Sequence, residues 1–210
     1  MTELRISPLT TADADELARL HRASFPGFFL SSLGEPFLRQ FYTGYAQDAS
    51  AVALVARDPG GRAVGAVVGT VDPAGYFSRL LRSRLLGFGI ASARAVLRHP
   101  RAAARLLRAL TYRGSDAAPR AGALLSSICV APAVRGTGTG RLLLREWERA
   151  VINRGIAVGF LTTDAENNEV VNAFYRSEGW DHNETFRTRD GRPMNRYSKD
   201  LTHSHGRTSG

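Results

Sequence analysis

The feature that most constrains this chain is the segment 132–140, a turn that carries glycine at three alternating positions. The apolar run 123–131 before it predicts a β-strand, and the amphipathic segment 140–153 after it predicts a helix that buries one face. A further strand is expected over 157–163. A strand, a helix and a strand in this order predict two neighbouring parallel strands joined by a right-handed crossover.

The glycine turn is suited to holding an anion. Gly136, Gly138 and Gly140 let the backbone adopt positive φ and let a ligand approach main-chain N–H groups closely. The helix that follows begins with unsatisfied N–H groups and a partial positive charge, and Arg135 adds a forked, charged donor at the rim. Together these features predict a phosphate site.

Two common phosphate-binding motifs do not match the turn. The dinucleotide fingerprint needs a third glycine where this sequence has Arg141, and the Walker turn needs a Gly-Lys-Ser/Thr run that the sequence lacks. The pattern that does match is Arg/Gln-x-x-Gly-x-Gly/Ala, over residues 135–140. On this hexapeptide alone, a tight structural turn that opens a helix stays an open alternative.

The hexapeptide resembles the pyrophosphate loop of the GNAT superfamily of N-acetyltransferases. The stretch NNEVVNAFYRSEGW at 167–180 is similar to the next block of that family, in which an Asn precedes a Phe-Tyr pair and a Gly-aromatic pair ends the helix. Asn168 stands seven residues before Tyr175, and one helix and one strand separate the two motifs, as in the family. The resemblance is best over 123–180.

The resemblance implies an α/β (α+β) chain with the GNAT-type acyl-CoA N-acyltransferase fold, in which helices flank a central mixed, mostly antiparallel sheet. We expect a single domain over 1–201, an Arg-rich helical insertion at 76–122 and a disordered tail at 202–210. Residue patterns predict the other elements: a strand at 3–7, helices at 13–23, 36–45 and 168–178, a loop or helical turn at 25–36, a hairpin of strands at 51–57 and 63–71, and one or two strands within 180–199.

The resemblance also implies an activity. The expected reaction moves an acetyl group from acetyl-CoA, the co-substrate, to a primary amine of a small molecule such as an amino-sugar or amino-acid derivative, by direct transfer in a ternary complex. The alternative is a non-catalytic acyl-CoA-binding regulatory module that acts through the basic insertion. The implied binding residues are the main chain of Ile128, Cys129 and Val130 for the pantetheine and acetyl carbonyl, Arg135, Gly136, Thr137, Gly138, Thr139 and Gly140 for the pyrophosphate, and Asn168 for the pantetheine arm.

Tyr175 matches the family's helix tyrosine beside the sulfur, which makes it the expected general acid. A phenol has an ordinary pKa of about 10 and a thiol one of about 8.5, so a neutral tyrosine can hydrogen-bond or protonate the departing thiolate. The alternative is that Tyr175 simply packs with Phe174 under the sheet. Both remain open from the sequence.

The general base is not readable from the sequence. Many relatives have a glutamate on the strand before the loop, where this chain has Ser126 and Ser127. Asp164, Glu166 and Glu35 are candidates, but each is better explained as a solvated or capping carboxylate. Many relatives also work through a chain of water molecules without a dedicated base.

The charge of the chain is concentrated in one segment. The formal net charge is +9, and residues 76–113 contain nine arginines and no acidic residue. Three interpretations are open for 79–113: it covers the acceptor cleft, it contacts an anionic membrane, or it binds an acidic ligand. Nucleic acid is not expected, because aromatic residues are scarce there. A homodimer is a further expected assembly.

The remaining candidates favour ordinary structural roles. Cys129 is the only cysteine, so no internal disulfide can form, and a buried hydrophobic role is expected for it. His21 lies on a helix in an exposed-looking neighbourhood, and His203 and His205 lie near the end of the chain, so no metal site is expected. The sequence shows no signal peptide or spanning helix, and a cytoplasmic location is expected.

Overall fold

A seven-stranded mixed sheet forms the centre of the computed structural model, which describes residues 4–26, 29–80, 122–188 and 191–202. The strand order is β1-β2-β3-β4-β5-β7-β6, and every neighbouring pair is antiparallel except β4 and β5. The mostly antiparallel sheet and the single parallel step confirm the predicted fold class. The strands are β1 (Arg5–Pro8), β2 (Ala51–Arg57), β3 (Ala63–Thr70), β4 (Ala123–Val130), β5 (Val158–Asp164), β6 (Asp181–Arg187) and β7 (Pro193–Asp200).

Six α-helices accompany the sheet in the described residues, and four of them lie close to the helices predicted from the sequence. The segment expected to be a loop or helical turn contains a short helix, and the region after the last helix holds two strands. The helices are α1 (Ala14–Ser24), α2 (Phe29–Ser32), α3 (Glu35–Gln47), α4 (73–80), α5 (Thr139–Ile152) and α6 (Glu169–Ser177).

Helices cover both faces of the sheet, which explains why every residue of β3 is buried. Ala66 and Val67 are adjacent on β3, and because side chains alternate along a strand they enter different cores. The first core lies with α1, α3 and α4 and includes Tyr42. The second core lies with α5 and α6 and includes Trp147 and Tyr175.

The first residues of the predicted insertion are held firmly against the body of the protein. The Arg79 guanidinium donates from Nε and Nη2 to the two carboxylate oxygens of Asp48, at 2.8 and 2.9 Å, and from Nη1 to Asp72 at 2.8 Å. A Cβ at Gly44 of α3 would lie 2.4 Å from Leu80 Cδ1, so glycine permits this close approach of α4. The rest of the predicted insertion and the predicted disordered tail lie outside the described residues.

A buried chain of polar groups joins α1, α3 and β4 through the first core. The Tyr42 hydroxyl lies 2.9 Å from His21 Nδ1 and 3.5 Å from the Cys129 sulfur. All three residues are almost completely buried, so His21 does not have the exposed environment that its sequence neighbourhood suggested. Burial lowers the pKa of His21 to about 4 and raises the pKa of the Cys129 thiol to about 11, so both groups are neutral at physiological pH.

The lowered pKa of His21 predicts a loss of stability in mild acid. The folded state holds the imidazole neutral, whereas the unfolded chain binds a proton near pH 6.5, so this contribution is present above about pH 6.5 and is lost as the pH falls toward about 4. Urea unfolding of the native protein should show a free energy lower by about 2 kcal/mol at about pH 5 than at about pH 7.5.

Two variants separate this effect from other acid-sensitive groups. His21→Gln keeps a hydrogen-bond acceptor for Tyr42 but does not titrate, so the loss between these two pH values should shrink to a fraction of the native one. His182→Gln removes an exposed histidine on β6. This variant should keep the full loss of unfolding free energy between the two pH values. An unchanged loss in His21→Gln would contradict the assignment.

Candidate active site

A wedge-shaped gap opens between the two parallel strands. β4 and β5 pair only at Ala123 with Gly159 and at Leu124 with Phe160. Beyond these pairs β4 follows β3 up to Val130, while β5 follows β7. A β-bulge at Ser126, where the β3–β4 register shifts, accompanies the divergence, since a bulge bends and twists its strand. The open end of the gap faces the glycine turn.

Main-chain polar groups of β4 line this gap. The Ala131 N–H donates to the Val64 carbonyl at 2.8 Å, so by the alternation of an antiparallel ladder Cys129 directs its polar groups to β3, and Ile128 and Val130 direct theirs into the gap. The Val130 carbonyl accepts a hydrogen bond of 2.9 Å from the Ser24 hydroxyl at the end of α1. Of the predicted pantetheine contacts, Ile128 and Val130 therefore present their main chain to the gap.

The glycine turn exposes a row of main-chain donors at the start of α5. Gly136 and Gly138 have φ of 76° and 89°, values that favour glycine. The first helical hydrogen bond runs from the Leu142 N–H to the Gly138 carbonyl at 2.9 Å. Within the described part of the chain, the N–H groups from Gly136 to Arg141 have no protein acceptor. The turn thus leaves a set of convergent donors and the positive end of a helix available to an anion.

Threonine hydroxyls hold the turn in shape. The Thr137 hydroxyl donates to the Val134 carbonyl at 2.8 Å and lies 2.9 Å from the Thr139 hydroxyl. Thr139 is buried, whereas Gly136, Thr137 and Gly138 are exposed. Of the predicted pyrophosphate residues, 135–138 therefore form an exposed turn, and Thr139 and Gly140 begin the helix that supports it.

Arg135 lies at the junction of the turn with α1. Its Nη2 donates to the carbonyl of Ser24, the last residue of α1, at 2.5 Å. A guanidinium at this position is favourable because the last carbonyls of a helix lack partners and carry partial negative charge. The Arg135 side chain is exposed, so its other N–H groups stay accessible at the rim of the turn. Ser24 consequently bonds both to β4 and to the turn.

Tyr175 projects from α6 into the second core. Its ring packs against Trp180 and Tyr197, each at 6.0 Å between ring centroids, and against Phe174 at 5.3 Å. Its hydroxyl makes no hydrogen bond to another described residue, and burial raises the pKa of the phenol well above its ordinary value. The structure therefore places Tyr175 in a packing role with an uncommitted hydroxyl, and the proposed acid role depends on that hydroxyl.

Asn168 joins the end of β5 to the start of α6. Its Nδ2 donates to the Thr163 hydroxyl at 2.8 Å and to the Asp164 carbonyl at 3.2 Å. The side-chain nitrogen of Asn168 thus already donates to two protein oxygens. Its Oδ1 atom is therefore the atom that can accept a hydrogen bond from pantetheine.

A buried polar network next to this position was missed by the sequence analysis. Asn172 donates from Nδ2 to the Asp164 and Asn168 carbonyls, at 2.9 Å each. Its Oδ1 accepts from Asn195 Nδ2 at 3.0 Å and from the Tyr197 hydroxyl at 2.9 Å. The available signal was an asparagine four residues after Asn168, on the same helical face as Asn168.

Two of the three candidate bases are held in ion pairs. Asp164 forms a bidentate ion pair with Arg192, and Glu35 accepts from Arg22 at 2.5 Å. Glu166 is exposed. Because arginine partners neutralise Asp164 and Glu35, the structure singles out no carboxylate as the general base.

Comparison with known proteins links part of the chain to a known family. Residues 103–182 match the family model described as an acetyltransferase (GNAT) domain. The match places GNAT acetyltransferase domain sequence at residues 103–182, which is less than half of the chain. This finding and the sheet with its open parallel step confirm the resemblance drawn from the two motifs.

Solved structures of GNAT proteins share the fold at low sequence identity. The ribosomal-protein-S18-alanine N-acetyltransferase from Escherichia coli is 16% identical, with a TM-score of 0.60 over 99% of this chain and 100% of that one. The PaiA N-acetyltransferase from Thermoplasma acidophilum, in complex with coenzyme A, is 15% identical, with a TM-score of 0.58 over 94% and 99%. The aminoglycoside 6'-acetyltransferase type Ii is 16% identical, with a TM-score of 0.60 over 94% and 97%. No curated protein matches the sequence.

The described residues hold neither a cluster of metal ligands nor a helix suited to spanning a membrane. No group of three or more His, Cys, Asp or Glu side chains among them is placed to hold a metal ion. None of the helices in these residues combines the length and the apolar character needed to cross a membrane.

The glycines of the turn make different demands, which a stability measurement can test. Gly138→Ala should lower the free energy of unfolding by about 1 kcal/mol, because an L-residue is strained at its positive φ. Gly140 lies in the first turn of α5, and a Cβ there would make ordinary contacts of 3.6 Å to Val130 and 3.9 Å to Phe174. Gly140→Ala should therefore leave stability unchanged or raise it slightly. Equal losses in urea unfolding of both variants would contradict this description of the turn.

Proposed function

We propose that the protein is an N-acetyltransferase that moves an acetyl group from acetyl-CoA to a primary amine by direct transfer in a ternary complex. The observation that carries this proposal is the row of unpaired N–H groups from Gly136 to Arg141 at the open end of the β4–β5 gap. Donors without protein acceptors at the start of a helix are suited to a diphosphate. The gap beside them is long enough to receive an extended chain.

The residues around the gap fit coenzyme A. The N–H groups of the turn would hold the diphosphate, with Arg135 at the rim. The main chain of Ile128 and Val130 would pair with the pantetheine amides, much as a strand pairs with its neighbour. A Cβ at Gly136 or Gly138 would meet no atom within 4 Å, so the surface above the turn is open to a ligand. The bound thioester supplies an activated acyl group.

In this proposal β4 has two roles in catalysis: it positions the acetyl carbonyl, and it stabilises the negative charge that develops on the carbonyl oxygen. Holding the acetyl carbonyl against a fixed strand while the amine approaches removes much of the entropic barrier of a two-substrate reaction. A main-chain N–H of β4 that points into the gap stabilises the oxygen of the acetyl carbonyl as negative charge develops on it. The Ser24 hydroxyl bonds to the Val130 carbonyl and so holds this part of the strand in place.

Tyr175 acts on the leaving thiolate in this proposal. The buried phenol is fully protonated at neutral pH because burial raises its pKa. A raised pKa also makes complete proton transfer to a thiolate less favourable, so hydrogen-bond donation to the sulfur is its main contribution. The uncommitted hydroxyl is consistent with this role.

We propose a small molecule as the acceptor. Support comes from the aminoglycoside acetyltransferase that shares the fold, although a neighbour that acts on a ribosomal protein shares it equally well. The basic segment 79–113 offers a second contact, to an anionic membrane or an acidic ligand. The two strands that precede and follow this segment, β3 and β4, meet at the closed end of the gap, where Thr70 pairs with Leu124.

Release of free thiol from acetyl-CoA in the presence of a panel of amines tests the activity. Tyr175→Phe should lower kcat by about tenfold or more, because the donor to the leaving group is lost. The dissociation constant for acetyl-CoA, measured by calorimetry, should stay within about twofold, since the turn is untouched. Tyr45→Phe changes a buried tyrosine of the first core, beyond the opposite face of the sheet, and serves as the matched control.

The outcomes separate the proposal from its alternatives. Equal kcat values for Tyr175→Phe and the native protein would remove the role of Tyr175. Tight binding of acetyl-CoA without amine-dependent thiol release would favour the non-catalytic acyl-CoA-binding module that acts through the basic insertion.

A further inference from the structure

An open pocket of about 560 Å³ lies beside the carboxyl end of α1. Its polar lining comes from the three helices α1, α2 and α3 and consists of Arg19, Arg22, Ser31, Ser32 and Glu35. This volume is in the range of small-molecule sites.

The pocket adjoins the β4–β5 gap through one residue. Ala23 lines the pocket, and the next residue, Ser24, donates from its hydroxyl to the Val130 carbonyl at the open end of the gap. Only the last turn of α1 therefore separates the pocket from the strand that would hold the acetyl group. A molecule seated in the pocket lies on the side of the sheet opposite α5 and α6.

The charges on the pocket wall are unevenly matched. Arg22 is paired with Glu35 at 2.5 Å, and Arg39, just outside the pocket, is paired with Asp15. Arg19 has no acidic partner among the described residues. Among the arginines of α1 and α3, Arg19 is thus the one without a carboxylate partner in the described residues, and it lines the pocket.

A second donor in the pocket is also without a partner. The Ser31 hydroxyl oxygen has almost no solvent exposure and makes no hydrogen bond to any described residue. A buried hydroxyl without a partner is costly, and rotation of the Ser31 side chain toward a ligand that accepts from it recovers that cost. A guanidinium and a hydroxyl that both lack acceptors are the donors that bind a carboxylate or a phosphate.

We propose that this pocket receives the acceptor amine and that Arg19 and Ser31 bind a carboxylate or phosphate group carried by the same molecule. The inference rests on the proposed N-acetyltransferase function and narrows its acceptors to amines that also bear an anionic group. Glu35 lies on the same wall and offers a carboxylate to the ammonium group of the incoming acceptor. Arg22, paired with Glu35, keeps that carboxylate in position.

Matched pairs of amines test the proposal. The carboxylate arm compares L-alanine with L-alaninamide, and the phosphate arm compares glucosamine 6-phosphate with glucosamine. Binding is measured by calorimetry with and without coenzyme A, and kcat/KM by thiol release from acetyl-CoA. In at least one arm the anionic member should be preferred by about tenfold or more, the size expected for charge-assisted hydrogen bonds.

Matched variants locate the preference. Arg19→Gln should reduce it to less than about threefold while leaving the dissociation constant for acetyl-CoA unchanged. Ser31→Ala should reduce it partially. Arg39→Gln makes the same substitution outside the pocket and should keep the full preference.

The possible results are distinct. A preference that Arg19→Gln abolishes and Arg39→Gln retains supports the proposal, and the arm that shows it identifies carboxylate or phosphate. No preference in either arm, or one that survives Arg19→Gln, overturns it. Failure of the proposed function shows differently: acetyl-CoA gives no binding heat or no thiol release with any amine, whatever the anionic members do in direct titration.

Discussion

The separation of β4 from β5 after two residue pairs is the constraint on which the rest of the site depends. Inside a sheet each strand satisfies its polar groups through its neighbours, so a strand that leaves its neighbour must find other partners for them. Here the Val130 carbonyl accepts a hydrogen bond from the Ser24 hydroxyl. The other gap-facing groups of β4 lie beside a turn whose N–H groups also lack protein acceptors. Both sets of donors and acceptors converge on the same opening.

The protein holds the two sides of this opening with separate cores. β4 is fixed from one face by the buried contact of Cys129 with Tyr42. On the other side, the Lys199 ammonium donates to both carboxylate oxygens of Glu148 at 2.9 Å, and Trp180 donates to the same carboxylate at 3.0 Å. This buried cluster ties α5 to β7 and to the end of α6. A buried ion pair with all of its partners present resists rearrangement, because breaking it leaves an unpaired charge.

The sequence predicted local elements well because their signals are local. Hydrophobic periodicity placed α5 at 140–153, and the structure has it at Thr139–Ile152. The glycine turn and the spacing from Asn168 to Tyr175 pointed to the family, because both are patterns of neighbouring residues.

Contacts between distant segments could not be read in this way. The bond from Arg135 to the Ser24 carbonyl joins residues 111 positions apart, and the one from Tyr197 to Asn172 joins residues 25 apart. Burial of His21 follows from how α1 packs against α3, which its sequence neighbourhood did not reveal. The ion pairs of Asp164 and Glu35 with arginines depend on the fold, so the sequence could not show that these two candidate bases are already paired.

The most direct test of the account is a crystal structure of the protein with coenzyme A. Diphosphate oxygens should lie within about 3 Å of the main-chain nitrogens between Gly136 and Arg141, with the pantetheine between β4 and β5. A diphosphate bound elsewhere on the protein, or a turn whose nitrogens are occupied by protein carbonyls in the complex, would contradict it.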